Sequence, residues 1–160
     1  MSATPESSIP GDTQPSFQIE KIYVKDLSLE LPNAPQVFME AETPKLDVQI
    51  NNEAAQLSEG LFEVVVTVTV TARGGEKTLF LVEAAQAGIF SIRGVPALEI
   101  DPLLAIACPN ILYPYVRETV SDLVVRGGFP PVLLAPVSFE ALYQQRQQQL
   151  AGAAQPGAAS

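Results

Sequence analysis

The chain has 160 residues, 47% of them hydrophobic, and its 18 acidic against 9 basic side chains give a net charge of −9. This length favours a single domain, and the acidic balance disfavours nucleic acid and anionic membranes as partners, because their phosphates attract basic surfaces. The sequence contains no histidine, which removes the commonest general base and the commonest metal ligand, so we expect no enzyme activity and no cofactor.

Both ends of the chain are poor in core-forming residues. Residues 1–16 and 150–160 are predicted to be disordered tails around a folded domain at residues 17–149. The first tail lacks the basic and apolar regions of a signal peptide, and no apolar run approaches the ~20 residues that a membrane span requires. A single cysteine, Cys108, does not indicate an oxidising compartment. We therefore expect a cytoplasmic protein without direct membrane insertion.

Alternating apolar and polar residues predict a first strand at residues 17–31. Its apolar face would carry Phe17, Ile19, Tyr23, Leu27, Leu29 and Leu31. Ile22 and Val24 break the alternation, which predicts either a bulge or a strand covered on both faces near its middle. Pro32 and Pro35 end the strand, because proline cannot donate to a sheet ladder.

Three more strands are predicted at residues 45–50, 61–72 and 77–87. Gly74 and Gly75 supply a tight hairpin turn between the last two of them. Residues 51–59 are predicted to be a polar connection, and residues 88–96 a glycine-bounded crossing segment.

From Pro96 the apolar period changes from two to about 3.6, which predicts helices. A short helical stretch at residues 98–108 would be interrupted by Pro102. Asn110 is the candidate N-cap of a longer helix, in which Pro114 is tolerable only in the first turn.

Two glycines, Gly127 and Gly128, are expected to end the long helix, and Ser138 is expected to cap a last helix at residues 139–150. Strands followed by helices predict an α+β fold: a four-stranded antiparallel sheet with the long helix and the C-terminal helix packed on one face. The other face of such a sheet can stay in water, and here it would offer a polar, acidic surface to a partner.

The sequence has no phosphate-binding loop and no metal-ligand cluster. Cys108 is interpreted as a small buried hydrophobic residue rather than a reactive thiol, and Glu40 and Glu42 as solvated charges rather than an acid–base pair. Most aromatic residues are expected in the core. The exceptions are Phe38 and the segment containing Phe90 and Ile92, where loops beside a sheet edge could open an apolar groove.

The chain contains the segments FQIEKIYVKD at residues 17–26, PNAP at 32–35, GIFSI at 88–92, CPNILYPY at 108–115 and LAPV at 134–137. These segments, among others, resemble the SecB family of bacterial protein-export chaperones. The resemblance covers residues 17 to 149, in order and with the family's spacing. One departure lies in the loop between the first two strands, where SecB proteins often carry a tryptophan. This chain has none, and Glu42 stands at about that place.

The resemblance implies a homotetramer built as a dimer of dimers, in which strands pair into a larger sheet. It also implies apolar grooves that hold unfolded precursor proteins, and an acidic patch that binds the zinc-binding C-terminal tail of SecA. Carried over to this sequence, the patch falls on Asp26, Glu30, Leu81 and Glu83. Strand parity agrees with this, because Asp26 and Glu30 would face the same way on one strand, and Leu81 and Glu83 would do so on another.

The function expected from the resemblance is an ATP-independent holdase that keeps precursors translocation-competent and delivers them to SecA for export. Two alternatives remain open at this point. One is a SecB-like chaperone dedicated to a toxin–antitoxin system, and the other is a sheet-surface adaptor that binds folded proteins.

Overall fold

The structure is a computed structural model that describes residues 14–40 and 43–154. Its strands are β1 (Ser16–Glu30), β2 (Lys45–Ser58), β3 (Leu61–Gly74) and β4 (Lys77–Arg93). They form one antiparallel sheet in the order β1-β4-β3-β2, which confirms the predicted sheet. Residues 1–13 and 155–160 of the predicted tails, and Glu42, lie outside the described residues.

Two strands are longer than predicted. Residues 51–58 continue β2 instead of forming a connection, because β3 is long enough to pair with them as far as Leu61 opposite Ser58. Likewise, the predicted crossing segment continues β4 to Arg93, because it pairs with β3 on one side and β1 on the other. Glycine at position 88 therefore lies inside a strand, not at the edge of a loop.

The edge strand β1 contains two bulges. Its register against β4 shifts between Ile19 and Lys21 and again between Val24 and Asp26. A bulge adds one residue to a strand and so reverses the alternation beyond it. The first bulge turns Ile22 and Val24 toward the apolar face, opposite Gly88 and Gln86. Tyr23 consequently lies on the polar face, so its predicted place on the apolar face is wrong.

The core lies between the sheet and a helical layer. On β3, Val64, Val66, Val68 and Val70 are fully buried, and alternate residues of β4 are buried beside them. α1 (Ala97–Pro102) continues through a π-helical turn (Leu103–Ala107) into α2 (Cys108–Arg126), and α2 packs on β3 and β4. Leu112, Val116 and Val120 of α2 are completely buried.

The helical backbone runs without interruption from α1 into α2, so Asn110 is not an N-cap and Pro114 lies inside α2. Both predictions are wrong. The π-helical turn starts at the residue after Pro102, where proline removes a backbone donor and crowds the preceding turn. The buried stripe of α2 supplies the stability that its prolines remove, since most helical stability comes from packing of an apolar face.

The glycine stop is confirmed: Gly127 caps α2, and Gly128 adopts a φ of 89°. After an irregular segment, α3 (Phe139–Ala154) begins as predicted, with the Ser138 hydroxyl accepting a hydrogen bond from the Ala141 amide at 3.1 Å. The helix extends beyond Leu150, so the tail predicted from residue 150 is wrong for residues 150–154. Alanine-rich sequence there has high helix propensity.

The C-terminal segment is held on the helical layer by aromatic contacts. The Tyr113 hydroxyl of α2 donates a hydrogen bond to the Ala135 carbonyl, and the Tyr113 ring meets the buried Phe139 ring edge-on at 5.9 Å. Farther along α3, the Tyr143 hydroxyl donates to Asp101 at 3.3 Å. Both helical elements thus lie on one side of the sheet, and the described residues place no α-helix on the opposite face, which we call the uncovered face.

Candidate binding surfaces

The four residues of the predicted acidic patch lie together on the uncovered face of the sheet. In the register of β1 and β4, Glu30 is opposite Leu81, and Glu83 is opposite Ser28. Asp26 is opposite Ala85, one position farther along the same face. We call Asp26, Glu30, Leu81 and Glu83 the acidic patch. The second bulge of β1 precedes Asp26, so it leaves Asp26 and Glu30 facing the same way.

The carboxylates of the acidic patch are free to interact with a partner. Asp26, Glu30 and Glu83 are exposed, and Leu81 is half-buried between them. Within residues 14–40 and 43–154, none of the three carboxylates has an ion pair or a side-chain hydrogen bond. Three unpaired negative charges on adjacent strands favour a cationic or metal-bearing ligand.

A second polar cluster lies beside the acidic patch on the same face. Glu63 of β3 accepts a hydrogen bond from the Lys25 ammonium at 2.7 Å and another from the Tyr23 hydroxyl. The Lys25 bond, then the Tyr23 bond, hold the pKa of Glu63 below its usual value. Partial burial, followed by the hydrogen bond to Glu63, raises the pKa of Tyr23 to about 12. We call Tyr23, Lys25 and Glu63 the bridging cluster, because it spans β4 from β1 to β3.

An apolar cleft opens around Phe38. This residue lies on a short 3-10 turn, Gln36–Met39, and its side chain is 49% exposed. The centroid of its ring lies 5.2 Å from the ring centroid of Phe129, and the two rings are tilted against each other. The ring centroid of Phe129 lies 4.9 Å from that of Phe80. The cleft has a volume of about 300 Å³ and is lined by Val37, Phe38, Glu40, Pro44, Leu79, Phe129 and Pro130. We call it the Phe38 cleft.

Phe90 and Ile92 do not line a groove. Phe90 is 0% exposed and Ile92 is 2% exposed, because both lie inside β4 on the sheet face against which α2 packs. Phe90 contacts Phe17 at 5.6 Å and forms part of the core. Their prediction as groove residues is corrected by this burial, whereas Phe38 remains a candidate.

A larger cleft lies between β1 and α2. It has a volume of about 500 Å³, and Ile22, Val24, Gln86 and Tyr115 are among the residues that line it. The neighbouring apolar side chains of β1 stay accessible: Phe17, Ile19, Val24 and Leu27 are 36%, 47%, 47% and 42% exposed. We call these four residues the β1 apolar strip. No described strand pairs with the outer backbone edge of β1, and this edge and the apolar side chains form a surface suited to association.

Cys108 is completely buried, which confirms its interpretation as a small hydrophobic residue, and burial raises its pKa to about 12. Among the described residues, no three His, Cys, Asp or Glu side chains come together in a way that could hold a metal ion. In that same part of the chain, every helix is too short or too polar to cross a bilayer.

A model of the family described as preprotein translocase subunit SecB matches residues 10–150. The chain belongs to the SecB family. The protein-export protein SecB of Chromobacterium violaceum is 62% identical over 89% of this chain and 95% of its own length. The protein-export protein SecB of Methylobacillus flagellatus is 59% identical over 92% and 94%, respectively.

In three dimensions, the chain is similar to a SecB-like chaperone of Mycobacterium tuberculosis, solved in complex with a ChAD peptide from an antitoxin. The TM-score is 0.63 at 21% sequence identity, over 76% of this chain and 90% of that one. At this identity the likeness establishes the fold alone, and it confirms the SecB-like α+β architecture. Membership of the SecB family, at the identities above, makes the protein a protein-export chaperone.

Sequence reasoning missed two features of this SecB-family chain. The bridging cluster joins residues that are 40 and 38 positions apart, and Tyr23 faces it only because of the first bulge. The broken alternation at Ile22 and Val24 was the available signal, and it did not distinguish a bulge from a strand covered on both faces. Alternation placed Phe17, Ile19 and Leu27 on one apolar face of the first strand, but it did not show that they stay exposed, because it does not tell how far the helices extend over that face.

Proposed function

We propose that this chaperone binds unfolded precursor proteins without ATP and delivers them to SecA, and that it acts in the cytoplasm as a homotetramer without catalysing a reaction. The single observation that carries the proposal is the arrangement of two unlike surfaces on one chain. The Phe38 cleft is apolar and lies at the end of the sheet, whereas the acidic patch is charged and lies on its uncovered face.

The Phe38 cleft is suited to an unfolded client. Unfolded chains expose apolar side chains that a folded protein buries, and removing them from water yields about 25 cal/mol per Å² before the costs of binding. Phe38 and Phe129 offer ring surfaces that accept apolar groups of many shapes. Repeated weak contacts along one client give avidity without sequence specificity, and binding only the unfolded form delays folding by mass action.

The acidic patch is suited to the zinc-binding C-terminal tail of SecA. A cationic, metal-bearing ligand is attracted by the three unpaired carboxylates, and Leu81 supplies an apolar contact in their midst. This attraction is screened beyond about 8 Å at physiological salt, so we expect the association to weaken as ionic strength rises.

A reciprocal experiment tests both halves of the proposal. Phe38→Asp should lower the affinity for a reduced, unfolded precursor at least about tenfold, because a carboxylate in an apolar cleft must be desolvated. Its affinity for a zinc-loaded SecA tail peptide should stay unchanged. Glu83→Lys should show the opposite pattern, since it reverses one charge of the acidic patch. Titration calorimetry of both variants with both ligands measures the four affinities.

Each variant has a matched control. Met39→Asp places the same charge on the next residue, which is 86% exposed and does not line the Phe38 cleft. Glu53→Lys makes the same reversal on the same sheet face, but on the far edge strand β2. Both controls should bind both ligands as the wild type does. If Met39→Asp lost as much precursor affinity as Phe38→Asp, the Phe38 cleft would not be the precursor-binding site. If Glu83→Lys still bound the SecA tail as the wild type does, the acidic patch would not be the SecA-binding site.

A chaperone dedicated to one antitoxin is the second candidate, favoured by the fold shared with the Mycobacterium tuberculosis protein. Several unrelated unfolded precursors separate the two functions, because a dedicated chaperone should ignore most of them. A sheet-surface adaptor would instead bind native proteins, which should then compete with unfolded ones.

A further inference from the structure

Lys25 is the basic residue nearest in sequence to the acidic patch, and its ammonium group pairs with a carboxylate outside the patch. Lys25 is the extra residue of the second β1 bulge and directly precedes Asp26. Its side chain reaches across β4 to the Glu63 carboxylate, at 2.7 Å, on the same sheet face. Its side chain is nevertheless 50% exposed, so it has room to adopt another position.

The bridging cluster fixes Lys25 more firmly than a lone surface pair could. Only 16% of the Glu63 side chain is exposed, and its second carboxylate oxygen accepts a hydrogen bond from the Tyr23 hydroxyl. The backbone of Tyr23 is also fixed, because the Gln86 side-chain amide donates a hydrogen bond to the Tyr23 backbone carbonyl at 3.1 Å. The small residues Ala85 and Ala87 of β4 lie opposite Asp26 and Tyr23 and leave room for the bridge above them.

Without Glu63, the Lys25 ammonium would lie beside an unpaired carboxylate. Asp26 is its neighbour in the chain, and Asp26 has no ion pair within the described residues. Opposite charges on adjacent residues that share a sheet face can approach within the screening length of about 8 Å at physiological salt and then attract each other. A Lys25–Asp26 pair would neutralise one of the three negative charges that the acidic patch presents.

We propose that Glu63 is a positioning residue for SecA docking: it holds Lys25 away from Asp26 and so keeps the acidic patch fully charged. This inference rests on the proposed function of the acidic patch. It assigns a role in partner binding to a residue that lies outside the patch, on another strand. The same bridge also sets specificity, because it preserves the attraction for cationic ligands on a face that would otherwise be partly self-neutralised.

The test uses the full-length protein and a zinc-loaded SecA tail peptide. Glu63→Gln should weaken binding about three- to tenfold, because Lys25 is released toward Asp26 while glutamine can still accept the Tyr23 hydrogen bond. Glu63→Gln combined with Lys25→Met should bind within about twofold of the wild type, because the released cation is gone. Lys25→Met alone should not lower the affinity. Titration calorimetry at low and physiological salt measures all of these.

Two further variants make the outcome decisive. Glu53→Gln removes one carboxylate from the same face without releasing Lys25, and it should leave the affinity unchanged. Glu63→Asp keeps the charge with a shorter side chain, and it should retain most of the affinity. Equal losses in Glu63→Gln and in the double variant would overturn the inference, since they would show a merely structural role. So would an unchanged affinity of Glu63→Gln.

Failure of the underlying function looks different. If the wild-type protein does not bind the SecA tail peptide, or Glu83→Lys binds it as the wild type does, the acidic patch is not the docking site. The inference then falls together with the proposed function. If the wild type binds, Glu83→Lys does not, and Glu63→Gln behaves as the wild type, only the inference is wrong.

Discussion

At the scale of single residues, Glu63 shows how a half-buried charge links two distant strands. Its carboxylate is satisfied on both oxygens, by Lys25 and by Tyr23. Such charge-assisted hydrogen bonds are stronger than neutral ones, and they favour the ionised carboxylate over the protonated acid. The interactions that lower the pKa of Glu63 therefore also stabilise the folded protein when this carboxylate is ionised.

A Glu63→Gln substitution should reduce the free energy of unfolding in a pH-dependent way. Because the folded protein lowers the pKa of Glu63, the unfolded chain binds its proton more tightly, and acid favours unfolding. The stabilisation is fully present above the ordinary value of 4.5 and is lost as the pH falls through the lower pKa of the folded state. Thermal unfolding of both proteins across this range should show the difference in melting temperature shrinking toward acid.

The control for this prediction is Glu53→Gln, which removes an exposed carboxylate on the other edge of the sheet. It should change the melting temperature little at any pH, since exposed interactions contribute little. A melting-temperature difference for Glu63→Gln that stays constant from neutral to acidic pH would contradict the linkage.

Strand parity agreed with the acidic patch that the family resemblance implies, but it failed on the bridging cluster, and one physical reason accounts for both outcomes. Between Asp26 and Glu30 the strand is regular, so parity alone places both side chains on the same face. Tyr23 lies between two bulges, each of which reverses parity, and a bulge depends on pairing with β4 rather than on local sequence. Side-chain direction is therefore predictable within a regular stretch of strand and is lost across a bulge.

At the scale of elements, β4 owes its length to its central position. Its glycine at 88 suggested a loop, because glycine weakens strands. In the structure, Gly88 lies in β4 where α2 approaches the sheet closely. A Cβ atom there would lie 2.7 Å from Phe90 Cε2 and 3.0 Å from Leu112 Cδ2. The residue marks a close approach of helix and strand, which a single sequence cannot distinguish from a turn.

A Gly88→Ala substitution should destabilise the fold by about 1–3 kcal/mol, because overpacking forces neighbours off their preferred positions. Phe90 and Leu112 are both 0% exposed, so neither side chain has open space to move into. Chemical denaturation gives the change in the free energy of unfolding.

The matched control is Gly152→Ala in α3, where an added Cβ meets nothing within 4 Å. Alanine there should be neutral or stabilising by up to about 1 kcal/mol through helix propensity. If Gly88→Ala were as stable as the wild type, the close approach of α2 to β4 would be wrong.

The helices show the same limit of local rules. The apolar stripe of α2 is readable from its period, and Val116, Val120 and Val124 are indeed buried. The start of the helical segment was predicted close to Ala97, but its continuity was not, because Pro102 and Pro114 suggested breaks where the helical backbone continues. Local propensity sets the ends of elements only where no larger buried area opposes it.

At the scale of the whole molecule, the single chain leaves too much apolar surface on one side of its sheet. The β1 apolar strip faces the helical side beyond the reach of α2, next to the 500 Å³ cleft that Tyr115 lines. Within residues 14–40 and 43–154, the outer backbone edge of β1 is also unpaired, since β1 is the first strand of the sheet order. Both features are explained if the edge pairs with a second copy, as proposed for the homotetramer.

Val24→Glu should therefore disrupt the assembly without unfolding the chain. The substitution places a charge on a side chain that is 47% exposed in the single chain, so the fold tolerates it. In a paired sheet the same charge would meet its symmetry mate's apolar strip and would have to be desolvated. Native mass spectrometry should show the wild type at about four times 17.1 kDa and the variant as smaller species.

The control is Leu57→Glu, at a residue that is 50% exposed on the opposite edge strand β2, and this variant should stay tetrameric. A wild type that remains a single chain at micromolar concentration, or a Val24→Glu variant that stays tetrameric, would show that β1 is not the pairing edge.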